Sequence, residues 1–204
     1  MKLKEVIVAS SNPKKVEEIK EILSPLGIKV IVPPRKVEVQ ETGTTFLENA
    51  YLKAKAYFEE FGIPALADDS GLVVEAIAPY PGVYSARFHE LELFGKEDPV
   101  PDADTANNRK LLRVLEDKKN RSAKFVSVVV LYSDEGGLFA EGEVRGRIAQ
   151  APRGDKGFGY DPLFIPEGYE KTFAEMEPQE KHKISHRGRA LRKLYNLLRD
   201  CAKD

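Results

Sequence analysis

Asp68 and Asp69 stand side by side at the end of the apolar run Leu66-Ala67, followed by Ser70, Gly71 and Leu72. Packing alone gives little reason for two adjacent carboxylates there. In an extended strand their side chains leave opposite faces, so one can meet a ligand while the other braces the scaffold. Adjacent acids repel each other and resist burial, which calls for a compensating positive charge, most simply a divalent cation. The plain alternative is an acidic turn closing a strand, since Asp, Ser and Gly are ordinary turn formers. Glu41, in a polar stretch ahead of a helix, is either a solvated loop acid or a further oxygen donor for such a cation.

The cations that could answer an anion are spread along the chain. Ser10-Ser11-Asn12-Pro13 supplies capping side chains and a proline suited to a first helical turn. Free backbone N–H groups at that start, with Lys14 and Lys15 beside them, make an anion site, unless this is an ordinary capped helix. Lys53 lies off the apolar stripe of its helix, as either a surface charge or a phosphate contact. Arg87 sits in the loop 79–88, either snorkelling or presenting its fork to a phosphate. Lys181, His186 and Arg187 lie near the start of a C-terminal helix, where cations oppose the helix dipole unless an anion is present. Gly157 and Gly159 flank Phe158, so the loop that continues into Tyr160 and Asp161 can approach a flat ligand and stack a ring on a base. A packed core aromatic is the bland account of Phe158.

The elements that must position these groups read as alternating strands and helices. Strands are expected over 5–9 and 28–32, over the run ending at the paired acids, and again over 72–76 after a turn at Ser70-Gly71. Val16, Ile19, Ile22 and Leu23 give the first helix its buried stripe, and Gly27 ends it. Thr45 and Glu48 have capping-box spacing at the head of a second helix whose inner face carries Phe46, Ala50, Ala54, Tyr57, Phe58 and Phe61. The segment 79–88 reads as a tight loop and 89–105 as an exposed acidic excursion. A helix over 107–115, a hairpin over 123–132 and 138–148, and a C-terminal helix capped by Ser185 complete the chain.

Composition limits what such a chain can be. With 204 residues, 42% of them hydrophobic, it can bury a full core as one domain or two tightly joined lobes. The single Cys201 excludes an internal disulfide and fits a reducing cytosol. No apolar stretch reaches membrane-spanning length, and Met1-Lys2-Leu3-Lys4-Glu5 runs into a strand without a leader's apolar region, so a soluble, cytoplasmic protein is expected. A formal net charge of -1 argues against general nucleic-acid binding. No Walker-type Gly-x-x-x-x-Gly-Lys fingerprint is present, and no Ser-His or Cys-His pairing signals a nucleophile. Acids and cations together are the inventory for gripping a polyphosphate with magnesium, leaving attack by an activated water on phosphorus.

The stretches Ser10-Ser11-Asn12-Pro13-Lys14-Lys15, Phe46-Leu47-Glu48-Asn49-Ala50, Ala67 to Leu72, Pro81 to Arg87, Gly157 to Pro162 and Ser185-His186-Arg187 resemble, in order, those of the inosine triphosphate pyrophosphatase family. These are the XTP/dITP diphosphatases, also called Ham1-like. The resemblance implies an α/β fold with an elongated mixed β-sheet and helices forming two lobes around a central nucleotide-binding cleft, within a single domain over 1–204. It implies Mg2+-dependent hydrolysis of ITP, dITP and XTP to the monophosphate and pyrophosphate, usually by a homodimer. It gives the Ser10 to Lys15 segment a phosphate-cradling role, Asp69 the roles of metal ligand and general base, and Glu41 that of second metal-associated acid. Ser70, Lys53 and Arg87 match substrate contacts. Phe158, Gly159, Tyr160 and Asp161 match the base-binding loop, and Lys181, His186 and Arg187 meet the nucleotide from the C-terminal side. The length of the excursion 90–104 and a second lysine, Lys183, depart from the shortest family pattern. A Maf-like pyrophosphatase for other modified nucleotides, or a regulatory module that binds nucleotides without cleaving them, are the alternative functions.

Overall fold

The structure, a computed structural model, describes residues 3–201 of the chain. Met1 and Lys2, cited above against a leader, lie outside them. Strands β1 (Glu5–Val8), β2 (Lys29–Ile31), β3 (Ala65–Val74), β4 (Ser122–Ser133), β5 (Gly136–Ile148) and β6 (Phe164–Pro166) form a six-stranded mixed sheet in the order β2-β1-β3-β4-β5-β6. β1 is parallel to both β2 and β3, with Val6 opposite Val30 and Ile7 opposite Ala65, while β5 and β6 run antiparallel. Parallel neighbours need crossover helices, supplied here by α1 (Pro13–Leu23) and α2 (Phe46–Phe61). Helices α3 (Ala103–Val114), α4 (Pro178–Ile184) and α5 (His186–Cys201) follow. The α/β class and the mixed sheet are those the sequence implied.

The chain divides into two compact units. The first comprises the chain up to Asp69, Ser127–Glu143 and the segment from His182 on. Its strands are apolar on both faces, so alternate residues feed two separate cores. Val6, Val8 and Leu66 pack with Ile19 and Leu23 of α1 and Leu191 and Leu194 of α5. Ile7, Ala9, Ala65 and Ala67 pack with Ala50, Ala54 and Tyr57 of α2. The small residues of α2 bring its axis close to the sheet, and Gly142 does the same for α5, since a Cβ there would lie 2.2 Å from the His186 carbonyl oxygen.

The second unit comprises Ser70–Val126 and Val144–Lys181. Its interior includes an aromatic group in which Phe125 lies 4.6 Å from Phe164 and 5.8 Å from Phe173, centroid to centroid. Leu72, Phe88, Leu111 and Leu115 are also fully buried there.

Several boundaries differ from expectation. The paired acids do not close a strand, because β3 runs unbroken through Ser70 and Gly71 to Val74, and the Leu72 N–H is satisfied by the Ser85 hydroxyl at 2.9 Å. The stretch expected as a tight loop is mostly a 3-10 helix over Gly82–Glu90. α3 starts four residues earlier than its leucines indicate, because Asp102 caps it by accepting the Thr105 N–H at 2.7 Å. The excursion is exposed but anchored: Glu97 accepts hydrogen bonds from Arg109 and Arg113 at 2.8 and 3.0 Å. A short α4 precedes the C-terminal helix, and Ser185 between them caps α5 by accepting the Gly188 N–H at 3.0 Å.

Candidate active site

The alternation that builds the two cores also sorts the two acids. Asp68 shares the face of Leu66, toward α1 and α5, and Asp69 shares the face of Ala67, toward α2. Asp68 is 2% exposed and surrounded by donors. Arg187 Nε donates to its Oδ2 at 2.9 Å, Ser127 donates to its Oδ1 at 2.6 Å, and the Lys15 ammonium lies 3.4 Å from Oδ2. Burial alone would push this carboxyl up, but Arg187 and Lys15, helped by the Ser127 hydrogen bond and Lys53, hold it far below the usual carboxylate range. Arg187 in turn reaches Glu18 Oε2 at 2.5 Å.

Asp69 meets a different field. Its side chain keeps 14% exposure, and Lys53 Nζ donates to its Oδ1 at 3.2 Å. The same ammonium lies 3.3 Å from Glu41 Oε1 and donates to the Asp68 carbonyl at 3.0 Å. Burial raises the Asp69 carboxyl above its ordinary value despite Lys53 and Lys15. For Lys53, burial is outweighed by Asp69, Glu41 and Asp68, so its proton is held more tightly. Lys15 moves the other way, lowered chiefly by burial. One strand therefore carries an acid held as an anion by its donors next to an acid whose burial favours the protonated form.

Glu41 and Asp69 already share one cation, the Lys53 ammonium. Among the described residues no group of three or more His, Cys, Asp or Glu side chains could hold a metal ion. A pair of carboxylates fits magnesium, which is bound through one or two carboxylates and keeps its other positions for water and phosphate oxygens. It does not fit a caged structural ion.

At the head of α1 the expected free N–H groups are already engaged. Asn12 Oδ1 accepts the N–H groups of Lys14 and Lys15 at 3.1 and 3.3 Å, and the Ser10 hydroxyl accepts that of Asn12 at 3.1 Å. Asparagine is a strong cap, so the turn is self-satisfied, and Pro13 has no N–H to offer. Ser11, Lys14 and Asn12 remain exposed beside it. The anions that Arg187 meets in the first turn of α5 are Asp68 and Glu18. His186 beside it is 4% exposed.

In the second unit, Ser70 follows on β3, half-buried, and Arg87 is exposed with its guanidinium 5.1 Å from the Tyr84 ring centroid. The loop around Phe158 is tightly built. Asp161 Oδ2 accepts the Phe158 N–H at 3.0 Å and the Lys181 ammonium at 2.7 Å. Gly157 is obligatory there, because at φ +70 its Cβ would sit 2.1 Å from that carboxylate oxygen. Lys181 Nζ stands 5.3 Å from the centroid of the half-buried Phe158 ring. Tyr160 donates its hydroxyl to the Ser85 carbonyl at 2.6 Å, and burial raises its pKa well above the ordinary value.

Sequence reasoning passed over Glu18 and Ser127. Each left a faint signal: an acid next to Ile19 on the buried side of α1, and a hydroxyl among the valines of β4. It also passed over the polar residues of α3.

The chain is similar to known proteins over almost its whole length. Residues 6–197 match the Ham1 family. A protein of Aquifex aeolicus named dITP/XTP pyrophosphatase is 63% identical over 198 residues, covering 97% of this chain and 98% of that one. The solved Ham1 protein of Staphylococcus aureus superposes with a TM-score of 0.80 at 36% identity, covering 97% of this chain and 99% of that one. The HAM1 protein of Coxiella burnetii gives a TM-score of 0.80 at 41% identity, over 97% and 100% of the respective chains. Matched over residues 6–197 by the family as a whole and over almost its full length by these relatives, this chain belongs to the Ham1 family.

Proposed function

We propose that the chain is a dITP/XTP pyrophosphatase that hydrolyses ITP, dITP and XTP between the α and β phosphates, releasing the nucleoside monophosphate and pyrophosphate. The observation that carries this reading is the grouping of Asp69 and Glu41 about the Lys53 ammonium, at 3.2 and 3.3 Å, while Asp68 on the opposite face is taken up by Arg187 and Ser127. A module that only binds nucleotides needs the cations more than it needs such a pair of acids beside them.

In this reading Asp69 accepts a proton from the attacking water as its oxygen bonds to the α phosphorus. The bond from that phosphorus to the oxygen bridging to the β phosphate breaks, and pyrophosphate leaves with the electron pair. Glu41 and Asp69 would hold magnesium, which when bound would neutralise phosphate charge and lower the pKa of water. Lys15 and Lys53 stabilise the charge that grows on the leaving group. Asp68, Arg187, Glu18 and Ser127 fix the strand that carries Asp69.

The base is assigned to the Phe158 loop. Phe158 offers its face for stacking, and Lys181 offers a donor suited to a 6-oxo group, which an adenine amino group cannot satisfy. A homodimer in the cytoplasm is the setting we assign to the enzyme, checked by light scattering after gel filtration.

Pyrophosphate release with magnesium across ITP, XTP, dITP, GTP, ATP and dTTP tests the assignment. Turnover is expected for the first three, exceeding that for ATP by at least about a hundredfold. Preference for a modified pyrimidine instead would favour the Maf-like alternative, and tight ITP binding without turnover a regulatory one. Phe158→Ala is expected to raise KM for ITP roughly tenfold with a smaller change in kcat. An unchanged KM would remove the ring from base recognition.

A further inference from the structure

Asp104 ends the stretch read from sequence as an exposed excursion, yet its Oδ2 accepts the Gly159 N–H at 2.9 Å. One helical turn later, Asn108 Nδ2 donates to the Gly159 carbonyl oxygen at 3.0 Å. The i, i+4 spacing puts both side chains on one face of α3. The helix thus grips both backbone polar groups of the residue that immediately follows Phe158. Gly159 lies at φ +60, outside any strand or helix, so its backbone groups depend on such partners.

The same helix also holds the segment that carries Arg87. Asn107 Oδ1 accepts the His89 N–H at 2.8 Å, and its Nδ2 donates to the Ala86 carbonyl at 3.1 Å. Lys110, fully buried, donates to the Phe88 and Leu91 carbonyls at 2.8 and 2.7 Å. All of these residues belong to the second unit.

We propose that α3 is the template that sets the conformation of the Phe158 loop, with Asp104 and Asn108 as positioning residues for the ring. The inference rests on the reading that this loop takes the base. Neither residue is among those assigned above to the phosphates. Each holds the loop in its binding shape beforehand, so less ordering entropy is lost when the nucleotide arrives. Asn108 Oδ1 is buried with no hydrogen-bond partner among the described residues, so the bond to Gly159 is what fixes that amide.

Three variants test this by two readouts. Asp104→Ala removes the acceptor, Asp104→Asn keeps an acceptor oxygen, and Asn108→Asp sets a carboxylate against the Gly159 carbonyl. Hydrogen exchange in the nucleotide-free protein should show Gly159 amide protection falling roughly tenfold or more in Asp104→Ala and largely returning in Asp104→Asn. KM for ITP and XTP should rise roughly tenfold in Asp104→Ala and Asn108→Asp, with kcat within about threefold, and should recover in Asp104→Asn. Unchanged Gly159 protection in Asp104→Ala overturns the template, whatever the turnover. Lost protection with an unchanged KM overturns its role in positioning the ring. Protection that follows Asp104 in a protein with no ITP turnover supports the template while counting against the proposed activity.

Discussion

Asp69→Asn is expected to lower ITP turnover by roughly a thousandfold, within the usual range for loss of a general base. The substitution is nearly isosteric and leaves Lys53 with the Glu41 carboxylate at 3.3 Å and the Asp68 carbonyl at 3.0 Å. Because burial already disfavours the charged form of Asp69, removing that charge should not destabilise the fold. Tm should therefore stay within about 3 °C of the parent protein. The asymmetry between activity and stability is the informative part. Hydrolysis within about fivefold of the parent would exclude Asp69 as the base, and a large fall in Tm would show that it braces the strand after all.

The neighbouring substitution should behave in the opposite way. Asp68→Ala takes from Arg187, 2% exposed, one of its carboxylate partners and leaves it facing Glu18, and breaking such a buried pair costs about 3–5 kcal/mol. For a chain of this length that corresponds to a fall in Tm on the order of 10 °C. Removing both ends of the pair, as in Asp68→Leu with Arg187→Met, should recover part of the loss, since Arg187 is then no longer a buried charge lacking Asp68, while Lys15 and Glu18 each still lose one partner. The pH dependence has a definite sign. The folded-state pKa of Asp68 is depressed, so its contribution is present above the unfolded value of about 3.9 and is lost as pH falls through the folded one. Acidification below about pH 4 should therefore lower Tm more steeply in the parent than in Asp68→Ala. Parallel slopes for the two proteins would mean that Asp68 is not the anion Arg187 depends on.

Local chemistry made much of this molecule legible in the sequence. The β-branched runs at 5–9 and 28–32, the Asn12-Pro13 helix start, the Thr45 cap and the hairpin turn at Asp134-Glu135 are set by residues that touch their near neighbours. The opposite faces of Asp68 and Asp69 follow from strand geometry alone, and the family motifs lie in the sequence as written. What the sequence could not decide is which charge meets which. The pairing of Asp68 with Arg187 spans 119 residues, that of Arg187 with Glu18 spans 169, and the grip of Asp104 on Gly159 spans 55. No local propensity encodes such contacts. Arg187 therefore reads as a ligand-binding cation in the sequence, and the fold pairs it with a buried strand acid, while the excursion before α3 reads as solvated and ends in the residue that holds the Phe158 loop. Capping, alternation and turn chemistry act over a few residues and are written in the order of the chain, whereas the choice of partner for a buried charge is made only when the sheet and helices pack.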